Sequence, residues 1–365
     1  MKTKKRVQLF NEREENFNVK LLHIVRRYGP VGGMERYVWE LTLSLRDMYI
    51  PVTVVCERCF GEKPMGIHVV ELGETIKRPR WIAALIFSHR VSAWFKSNPQ
   101  NQVIVHSHER VNVHHVTTMH GPPFANVRDK PWWKRVSIRV LAHLFLERRE
   151  LEVPLKIVPN SPIIKEQLSH YYPEFIGKLT SPVVPGVMPS ALREMRIVPT
   201  DGGVIGFVGK EWKRKGLPFA VEIVKELRLT RPNLKFIVLG PSDTSDAKQL
   251  FVGWSGGFEL MGWSNLARYT DFDVLLHPAL AEPYGMVVTE AMGSRVPVVI
   301  SDACGAKAQV TAEAGEVLSL DLTARQWADA VNRQLVRKDQ PPIFIRGWSV
   351  VAQESVAIYS ELNQI

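Results

Sequence analysis

Two glutamates eight positions apart, Glu282 and Glu290, stand in the segment richest in chemically useful residues, 277–299 (HPALAEPYGMVVTEAMGSRVPVV). Pro283 disfavours helix at Glu282, and the residues after Gly285 have a helical pattern, so we expect Glu282 on a loop and Glu290 inside the following helix. The free amides that open this helix form a ready anion site; they belong to Gly285, Met286 and Val287. The carboxylate of Glu282 can then bind sugar hydroxyls, and that of Glu290, deeper in the site, can bind a ribose. The spacing alone also fits two surface glutamates, but the full run favours a binding site.

A second segment, GFVGKEWKRKG (206–216), gathers cations on a glycine-bearing turn between a predicted strand and a predicted helix. These cations are Lys210, Lys213, Arg214 and Lys215. A nucleotide diphosphate carries about two negative charges, and two well-placed cations near a helix N-terminus can offset them without a metal. Such cations stabilise a diphosphate leaving group where its charge develops. A solvated basic turn is the alternative, and the neighbouring glutamate segment argues against it.

A third segment, RYGPVGGMERYVWEL (27–41), carries Gly32 and Gly33 on a loop between a strand and a helix. It lacks both GxGxxG and GxxxxGK[ST], which disfavours a dinucleotide site or a Walker site. What remains is a flexible loop whose backbone can approach a ligand, with Glu35 and Arg36 at the start of the helix.

Five of the eleven histidines fall within fifteen positions. They are His106, His108, His114, His115 and His120. A metal site needs convergent ligands with supporting carboxylates, and only Glu109 is near, so we expect no metal here. Ligands bind beyond the carboxyl ends of parallel strands, which favours His120 at a strand end facing an interdomain cleft.

The segment 129–152 combines apolar residues at helical intervals with basic residues and a pair of tryptophans, Trp132 and Trp133. We predict one basic amphipathic helix that lies on an acidic membrane surface. A core helix with a solvated basic face is the alternative. The basic residues that we expect near lipid are Lys134, Arg135 and Arg139.

Length, composition and charge limit the class of protein. The chain has 365 residues and a formal net charge of +10, and its 45% hydrophobic content is ordinary for a folded protein. The charge favours a polyanionic partner. Three cysteines fit a reducing compartment, and the CxxC formed by Cys56 and Cys59 is a weak metal or redox signal without a second pair. No apolar run reaches the length of a membrane span, and no secretory core follows the basic start, so we expect a cytoplasmic protein.

Strand and helix patterns alternate in two successive series, which predicts an α/β protein with two Rossmann-like, doubly wound domains. Predicted strands include 19–25, 181–187, 202–210 and 274–279. The expected divisions are a disordered head (1–18), an N-terminal domain (19–195), a C-terminal domain (196–345) and a final helix (346–365) that crosses back to the first domain.

With these motifs in view, the chain resembles the GT-B glycosyltransferases of family 4. It is most similar to those that add glucose or another hexose to the heptose region of the lipopolysaccharide inner core. The resemblance covers about 19–365. It is carried by the GPVGG-x-E loop, HSHE, TTMHG, VPNS, VVPGV, FVGK…KG, the E-x7-E block and the closing GWSVVAQ…Y.

The resemblance implies two domains facing a cleft, retention of anomeric configuration, no catalytic metal and no cofactor. The donor that it implies is a nucleotide sugar, and we expect a UDP-sugar. It implies that Lys215 binds the diphosphate with Lys210 or Arg214, that Glu282 lies near the donor hexose and that Glu290 binds the ribose. Gly285, Met286 and Val287 match the backbone donors, and Gly32 and Gly33 match the loop over the donor phosphates. His120 matches a strand-end catalytic position, and Glu35 and Arg36 lie on the acceptor side. The acceptor would be a lipid-linked glycan at the cytoplasmic face of the inner membrane.

Three alternatives remain, of which the first belongs to the same family. A soluble family member that makes another glycoconjugate or a polysaccharide would share the two loop motifs without needing the basic helix. A non-enzymatic, basic nucleic-acid-binding protein would explain the charge, but no nucleic-acid-binding motif supports it, and we expect no nucleic-acid partner. A nicotinamide enzyme is disfavoured by the missing GxGxxG.

Overall fold

The computed structural model describes residues 19–188, 191–241, 244–262 and 268–363, so the expected disordered head (1–18) lies outside the described residues. The chain divides into two compact units. The first unit runs to Gly186 and resumes at Trp348, and the second unit spans Val187–Gly347. The division thus lies between Gly186 and Val187, where the sequence predicts it near 195.

The first unit is built on a six-stranded parallel sheet. Its strands are β1 (Lys20–Ile24), β2 (Val52–Cys56), β3 (Ile67–Glu71), β4 (Val103–Ser107), β5 (Val116–Met119) and β6 (Lys156–Pro159). Their order across the sheet is β3-β2-β1-β4-β5-β6. The helices are α1 (Gly33–Asp47), α2 (Arg80–Ser97), α3 (Ile138–Glu152) and α4 (Pro162–Tyr171).

The second unit repeats this plan with another six-stranded parallel sheet. Its strands are β7 (Val204–Val208), β8 (Lys235–Leu239), β9 (Phe258–Met261), β10 (Val274–His277), β11 (Val298–Ser301) and β12 (Gly315–Leu318). The order is β9-β8-β7-β10-β11-β12. The helices are α5 (Leu217–Arg228), α6 (Thr244–Lys248), α7 (Met286–Gly293) and α8 (Ala324–Leu335). The last helix, α9 (Trp348–Asn363), belongs to the first unit and packs against α1.

Both sheets follow the strand order of a doubly wound Rossmann fold, which confirms the predicted fold class. In each sheet the chain reverses its direction of winding between the first and the fourth strand, that is, between β1 and β4 and between β7 and β10. Ligands of such sheets bind beyond the carboxyl ends of the strands at this switch point. The physical reason for the parallel arrangement lies in the strands themselves, which are short apolar runs buried on both faces, as in Leu275 and Val299.

A large apolar core holds the second sheet between its helices. Phe207 and Phe236 on the strands and Val221 and Trp327 on the helices are all buried in one cluster. Trp327 also donates its indole N–H to the carbonyl of Ser319 over 3.1 Å, so its one polar atom is satisfied. This core fixes the positions of the strand ends that carry the site.

Two predicted elements are wrong. The single helix expected over 129–152 is interrupted: 3₁₀ turns cover Phe124–Asp129 and Trp132–Lys134, and α3 begins only at Ile138. Pro131 lies before the second turn in an extended conformation, and the Ser137 hydroxyl accepts a hydrogen bond from the Val140 amide as the N-cap of α3. A proline and a capping serine therefore set the boundary that helical periodicity alone does not show.

The predicted strand at 181–187 is also absent among the described residues, although Val183 donates its amide to the Pro159 carbonyl over 3.0 Å. Prolines at 182 and 185 limit the number of amides available to a strand ladder in this segment. Two observed elements, helix α4 and strand β12, are not predicted from the sequence.

Candidate active site

Two loops at the switch point of the second sheet are tied directly to each other. One loop follows β7 and leads into α5; the other follows β10 and leads into α7. The amide of Leu280 donates to the Arg214 carbonyl over 2.9 Å, and the Arg214 guanidinium donates to the Ala281 carbonyl. The basic segment and the glutamate segment that the sequence singled out therefore form one site.

The loop that carries Glu282 is also fastened on its far side, to the residues after β11. The amide of Gly305 donates to the Glu282 carbonyl over 2.9 Å, and the amide of Ala306 donates to the Tyr284 carbonyl over 2.7 Å. The Ser301 hydroxyl donates to the Ala279 carbonyl over 2.5 Å. With both sides held, the backbone of Glu282 is pre-organised.

Two glycines make these turns possible. Gly216, before α5, has a φ of +81°, and a Cβ there would lie 1.9 Å from the Pro278 carbonyl oxygen. Gly285, the N-cap of α7, has a φ of +98°, and a Cβ there would lie 2.7 Å from the Cys304 sulfur. Both positions require the left-handed conformation and the missing side chain.

The Glu282 carboxylate is the centre of the site. Its Oε2 lies 3.0 Å from Lys215 Nζ, 3.5 Å from Arg214 Nη1 and 3.6 Å from His277 Nε2, and the side chain is only 9% exposed. Burial alone would raise the pKa of Glu282, but the Lys215 ammonium, His277 and Arg214 together hold it well below its ordinary value. Burial lowers the pKa of His277. Glu282 is thus a carboxylate held charged in a buried, cationic setting.

The two other cations of the basic segment are Lys210 and Lys213. Lys210 is exposed, and Lys213 contacts other residues, with Nζ 5.0 Å from the Trp212 ring centroid and 3.9 Å from Asp246. The structure therefore brings Arg214, and not Lys213, to Glu282 beside Lys215. The Lys215 stem covers the backbone of Gly209, where a Cβ would lie 2.1 Å from Lys215 Cδ.

Glu290 lies in α7, as predicted for that helix, and accepts a hydrogen bond from the Tyr269 hydroxyl over 2.5 Å. Gly285 caps α7, and Met286 and Val287 open it, partly exposed. Tyr269 and His277 were missed as site residues. His277 stands in the HPA motif and could have been found from it, whereas Tyr269 carries no sequence signal.

In the first unit, Gly32 caps α1 and Gly33 opens it. Glu35 is buried and paired with Arg27, whose Nε donates over 2.8 Å. A Cβ on Gly32 would lie 2.2 Å from Glu35 Oε2, so the pair fills the space beneath the loop. Arg36 is partly exposed, and its amide donates to the Gly32 carbonyl over 2.9 Å. Glu35 thus has a structural ion pair that the sequence did not reveal.

The strand-end histidines gather at the switch point of the first sheet, and His23 of β1 joins them. His120 Nε2 lies 2.9 Å from His108 Nδ1, and His108 Nε2 lies 3.1 Å from His23 Nδ1. The ring of His106 stacks on His108 at a centroid distance of 4.4 Å. Sequence reasoning missed His23 because it is distant in the chain from the other histidines.

Three of these rings, those of His23, His106 and His108, bring one nitrogen each within 4.8 Å of the others, which is close enough for a shared metal ion. The arrangement fits a metal poorly. His106 uses both ring nitrogens, at 2.6 Å to the Tyr359 hydroxyl and 2.7 Å to the Thr118 hydroxyl, and stacked rings cannot point their lone pairs at one ion.

A surface of the first unit exposes an unusual group of apolar and basic side chains, which we call the Trp surface. Trp132 and Trp133 are 70% and 63% exposed. On α3, Ile138, Leu141 and Phe145 share one exposed face at helical spacing. The remaining members, all exposed, are Lys134, Arg135, Val136 and Arg139.

Within the part of the chain that the structure describes, none of the helices combines the length and the apolar character that crossing a membrane requires.

Family models match each unit. Residues 31–176 match the model "Glycosyltransferase Family 4", and residues 202–336 match "Glycosyl transferases group 1". The D-inositol 3-phosphate glycosyltransferase of Kineococcus radiotolerans is 24% identical over 92% of this chain and 92% of its own.

Two solved structures share the fold. WaaG, a glycosyltransferase involved in lipopolysaccharide biosynthesis, has a TM-score of 0.74 at 17% identity, over 93% of this chain and 95% of its own. Anabaena Alr3699/HepE, solved in complex with UDP-glucose, has a TM-score of 0.66 at 14% identity, over 95% of this chain and 100% of its own. With both units matched and both sheets in Rossmann order, the chain belongs to the GT-B glycosyltransferases of family 4.

Proposed function

We propose that this glycosyltransferase moves a hexose, with glucose from a UDP-sugar as the first candidate, onto a lipopolysaccharide inner-core acceptor at the cytoplasmic face of the inner membrane. The observation that carries the proposal is the Glu282 site, where Lys215 and Arg214 meet one buried carboxylate in front of the N-terminus of α7. Permanent cations beside free helix amides suit a diphosphate.

The same site supports a leaving-group mechanism that needs no catalytic metal. When the bond between the sugar and the diphosphate breaks, negative charge grows on the diphosphate oxygen. Lys215 is paired with Glu282, and Arg214 is held by Glu211 and by the Ala281 carbonyl, so both cations can stabilise this charge without reorganising. The second carboxylate oxygen of Glu282, in front of α7, can bind hydroxyls of the donor hexose, and Glu290 one turn into α7 can bind the ribose.

We further propose that the reaction retains the anomeric configuration, which family membership supports. The configuration of the new bond can be read from the anomeric proton coupling of the product in an NMR spectrum. An inverted product would contradict this part of the proposal.

The Trp surface supports a lipid-anchored acceptor. Its exposed tryptophans suit the headgroup region of a bilayer, and its basic residues suit acidic lipid and the phosphates of lipid A. The fold likeness to WaaG fits this acceptor. We therefore propose that the protein acts as a peripheral enzyme on the membrane surface.

A donor screen tests the proposal. The unfolding temperature should rise with the matching nucleotide sugar, by an amount that grows with ligand concentration over Kd, and UDP-glucose should give the largest rise among UDP-, GDP- and ADP-sugars. Transfer to purified inner-core lipopolysaccharide should then release UDP. If no activated sugar shifts the unfolding temperature, the proposal is wrong.

A second candidate acceptor is a phosphorylated cyclitol. It is favoured by the similarity over 92% of the chain to D-inositol 3-phosphate glycosyltransferase. Such an acceptor is soluble and would not use the Trp surface. Release of UDP with inositol phosphate, and none with inner-core lipopolysaccharide, would select this candidate.

A further inference from the structure

The four histidines at the switch point of the first sheet form a continuous array, and their protons can be counted. His23 lies on β1, opposite His106 of β4 in the strand register. His108 follows β4, with its amide bonded to the Ile24 carbonyl over 2.9 Å. His120 follows β5. The array thus occupies the place where a doubly wound sheet binds its ligands.

Three rings of the array, those of His23, His108 and His120, are joined in a line by hydrogen bonds, and their exposure increases from His23 to His120. His23 is fully buried, His108 is 4% exposed, and His120 is partly exposed. The two nitrogen pairs that join them are separated by 3.1 Å and 2.9 Å, so each pair shares one proton. Burial lowers the pKa of His23 and of His120 to about 3, and that of His108 well below its ordinary value, so all three rings are neutral at pH 7.

A neutral ring has one N–H, so the line has only two possible proton orders. The buried end decides between them. His23 Nε2 has no hydrogen-bond partner within the described parts of the chain. If His120 donated to His108 and His108 to His23, His23 Nε2 would carry a buried, unpaired N–H. If the donors point the other way, from His23 toward His120, His23 Nε2 is an unpaired acceptor, which proteins tolerate more often.

We propose that His23 and His108 are positioning residues that fix His120 with its proton on Nδ1, so that His120 donates a hydrogen bond to an oxygen of the substrate. In this order, His23 Nδ1–H donates to His108 Nε2, and His108 Nδ1–H donates to His120 Nε2. The identity of the substrate, a glycosyl donor or its acceptor, rests on the proposed function. The tautomer of His120 rests on the hydrogen-bond geometry alone.

Two other roles for the array do not fit this geometry. A general base needs a free lone pair, and the lone pair of His120 Nε2 is occupied by His108. A proton wire needs an exit at both ends, and the line stops at His23 within the described structure. His106 does not belong to the line, because its two nitrogens bind Tyr359 and Thr118.

Nitrogen NMR of the full-length protein labelled with ¹⁵N-histidine tests the tautomer directly. At pH 7 the ring of His120 should show a protonated Nδ1 and an unprotonated Nε2, assigned by the loss of its signals in His120→Gln. A protonated Nε2 would overturn the proposal. This readout needs no sugar substrate, so it stands even if the proposed function is wrong.

Matched variants of His23 test the positioning role. In His23→Asn the amide nitrogen takes the place of Nδ1 and can still donate to His108, whereas His23→Leu has similar bulk and no donor. We expect His23→Leu to lower kcat about tenfold, as for loss of one hydrogen bond in the transition state, and His23→Asn to restore most of it. The ¹⁵N spectrum of His23→Leu should show His120 as a mixture of tautomers. Equal kcat values for the two variants, or an unchanged tautomer in His23→Leu, would overturn the positioning role.

Discussion

The two units share one strand order and differ in the chemistry at the same edge. At the switch point of the second sheet, the carboxylate of Glu282 lies between the cationic side chains of Lys215 and Arg214. At the switch point of the first sheet, His23 and His108 are buried and neutral. The scaffold therefore fixes where a ligand binds, and the side chains at the strand ends fix which kind of ligand it is.

In the proposed function, the difference follows from the ligand that each edge binds, a diphosphate in the second unit and hydroxyl groups in the first. A diphosphate brings negative charge into a partly buried site, and fixed cations together with helix amides offset that charge. Hydroxyl groups bring no charge, and neutral donors and acceptors in fixed orientations are enough for them. We therefore expect changes of charge to have large effects in the second unit and changes of hydrogen bonding to have moderate effects in the first.

The largest effect should come from Lys215→Ala. Removing the cation that lies 3.0 Å from Glu282 takes away stabilisation of the leaving diphosphate, and we expect kcat to fall by about 10²–10³ with a smaller change in donor affinity. Steady-state kinetics with calorimetric donor binding separates the two quantities.

The matched control for that variant is Lys213→Ala, because the Lys213 side chain is 73% exposed and lies near Asp246. It should leave kcat nearly unchanged. Equal losses in the two variants, or a loss of donor affinity alone in Lys215→Ala, would contradict the leaving-group role.

The next effect concerns stability and its dependence on pH. Glu282→Gln leaves Lys215 and Arg214 without their buried counter-charge, and we expect a loss of about 3 kcal/mol in the free energy of unfolding at pH 7. Because the folded pKa of Glu282 is lowered, its contribution is complete above the ordinary value of 4.5 and declines as pH falls below it. The difference between parent and variant should therefore shrink, by ~1.4 kcal/mol per pH unit below 4.5.

Urea unfolding of both proteins at pH 6 and at pH 3 measures this difference. Glu211→Gln is the control, since the Glu211 side chain is 69% exposed and pairs with Arg214 at the surface. A difference between parent and Glu282→Gln that stays constant from pH 6 to pH 3 would show that Glu282 is not the charged partner.

A smaller effect is expected at the ribose position. Glu290→Ala removes charge-assisted hydrogen bonds of about 1.5–3 kcal/mol, so donor Kd should rise about ten- to a hundredfold. Tyr269→Phe keeps the carboxylate and removes only the hydroxyl that binds it over 2.5 Å, so its effect on Kd should be about fivefold. Unchanged donor affinity in Glu290→Ala would remove the ribose assignment.

These residues also show how far sequence can lead. The run of turn and helix signals around Pro283 and Gly285 placed Glu282 on a loop and Glu290 in a helix, because those signals are local. Most strand positions follow from apolar runs for the same reason, although the run at 181–187 forms no strand and β12 is not predicted. The ion pair between Arg27 and Glu35, and the join of His23 to His108, depend on contacts between distant segments, which no local pattern encodes.

The segment 129–152 shows a different kind of error, because here the decisive signals are local. Its periodicity is real, and Ile138, Leu141 and Phe145 do share a face, but the expected helix continued through Pro131 and past the cap at Ser137. Capping and proline signals were present in the sequence and outweigh periodicity at helix ends.

The last effect belongs to the Trp surface, which serves neither switch point, and it should leave the chemistry of both units unchanged. The double variant Trp132→Ala/Trp133→Ala should lose about tenfold in partitioning to vesicles that contain acidic lipid, because indoles favour the membrane interface. The loss should be no larger because the basic residues remain. Donor binding should be unchanged. Flotation with vesicles of increasing phosphatidylglycerol content measures it. Tyr49→Ala removes another exposed aromatic, 95% accessible and outside this surface, and should float like the parent. If the parent itself does not float, the acceptor is not reached through the Trp surface, and the soluble, phosphorylated acceptor becomes the better candidate.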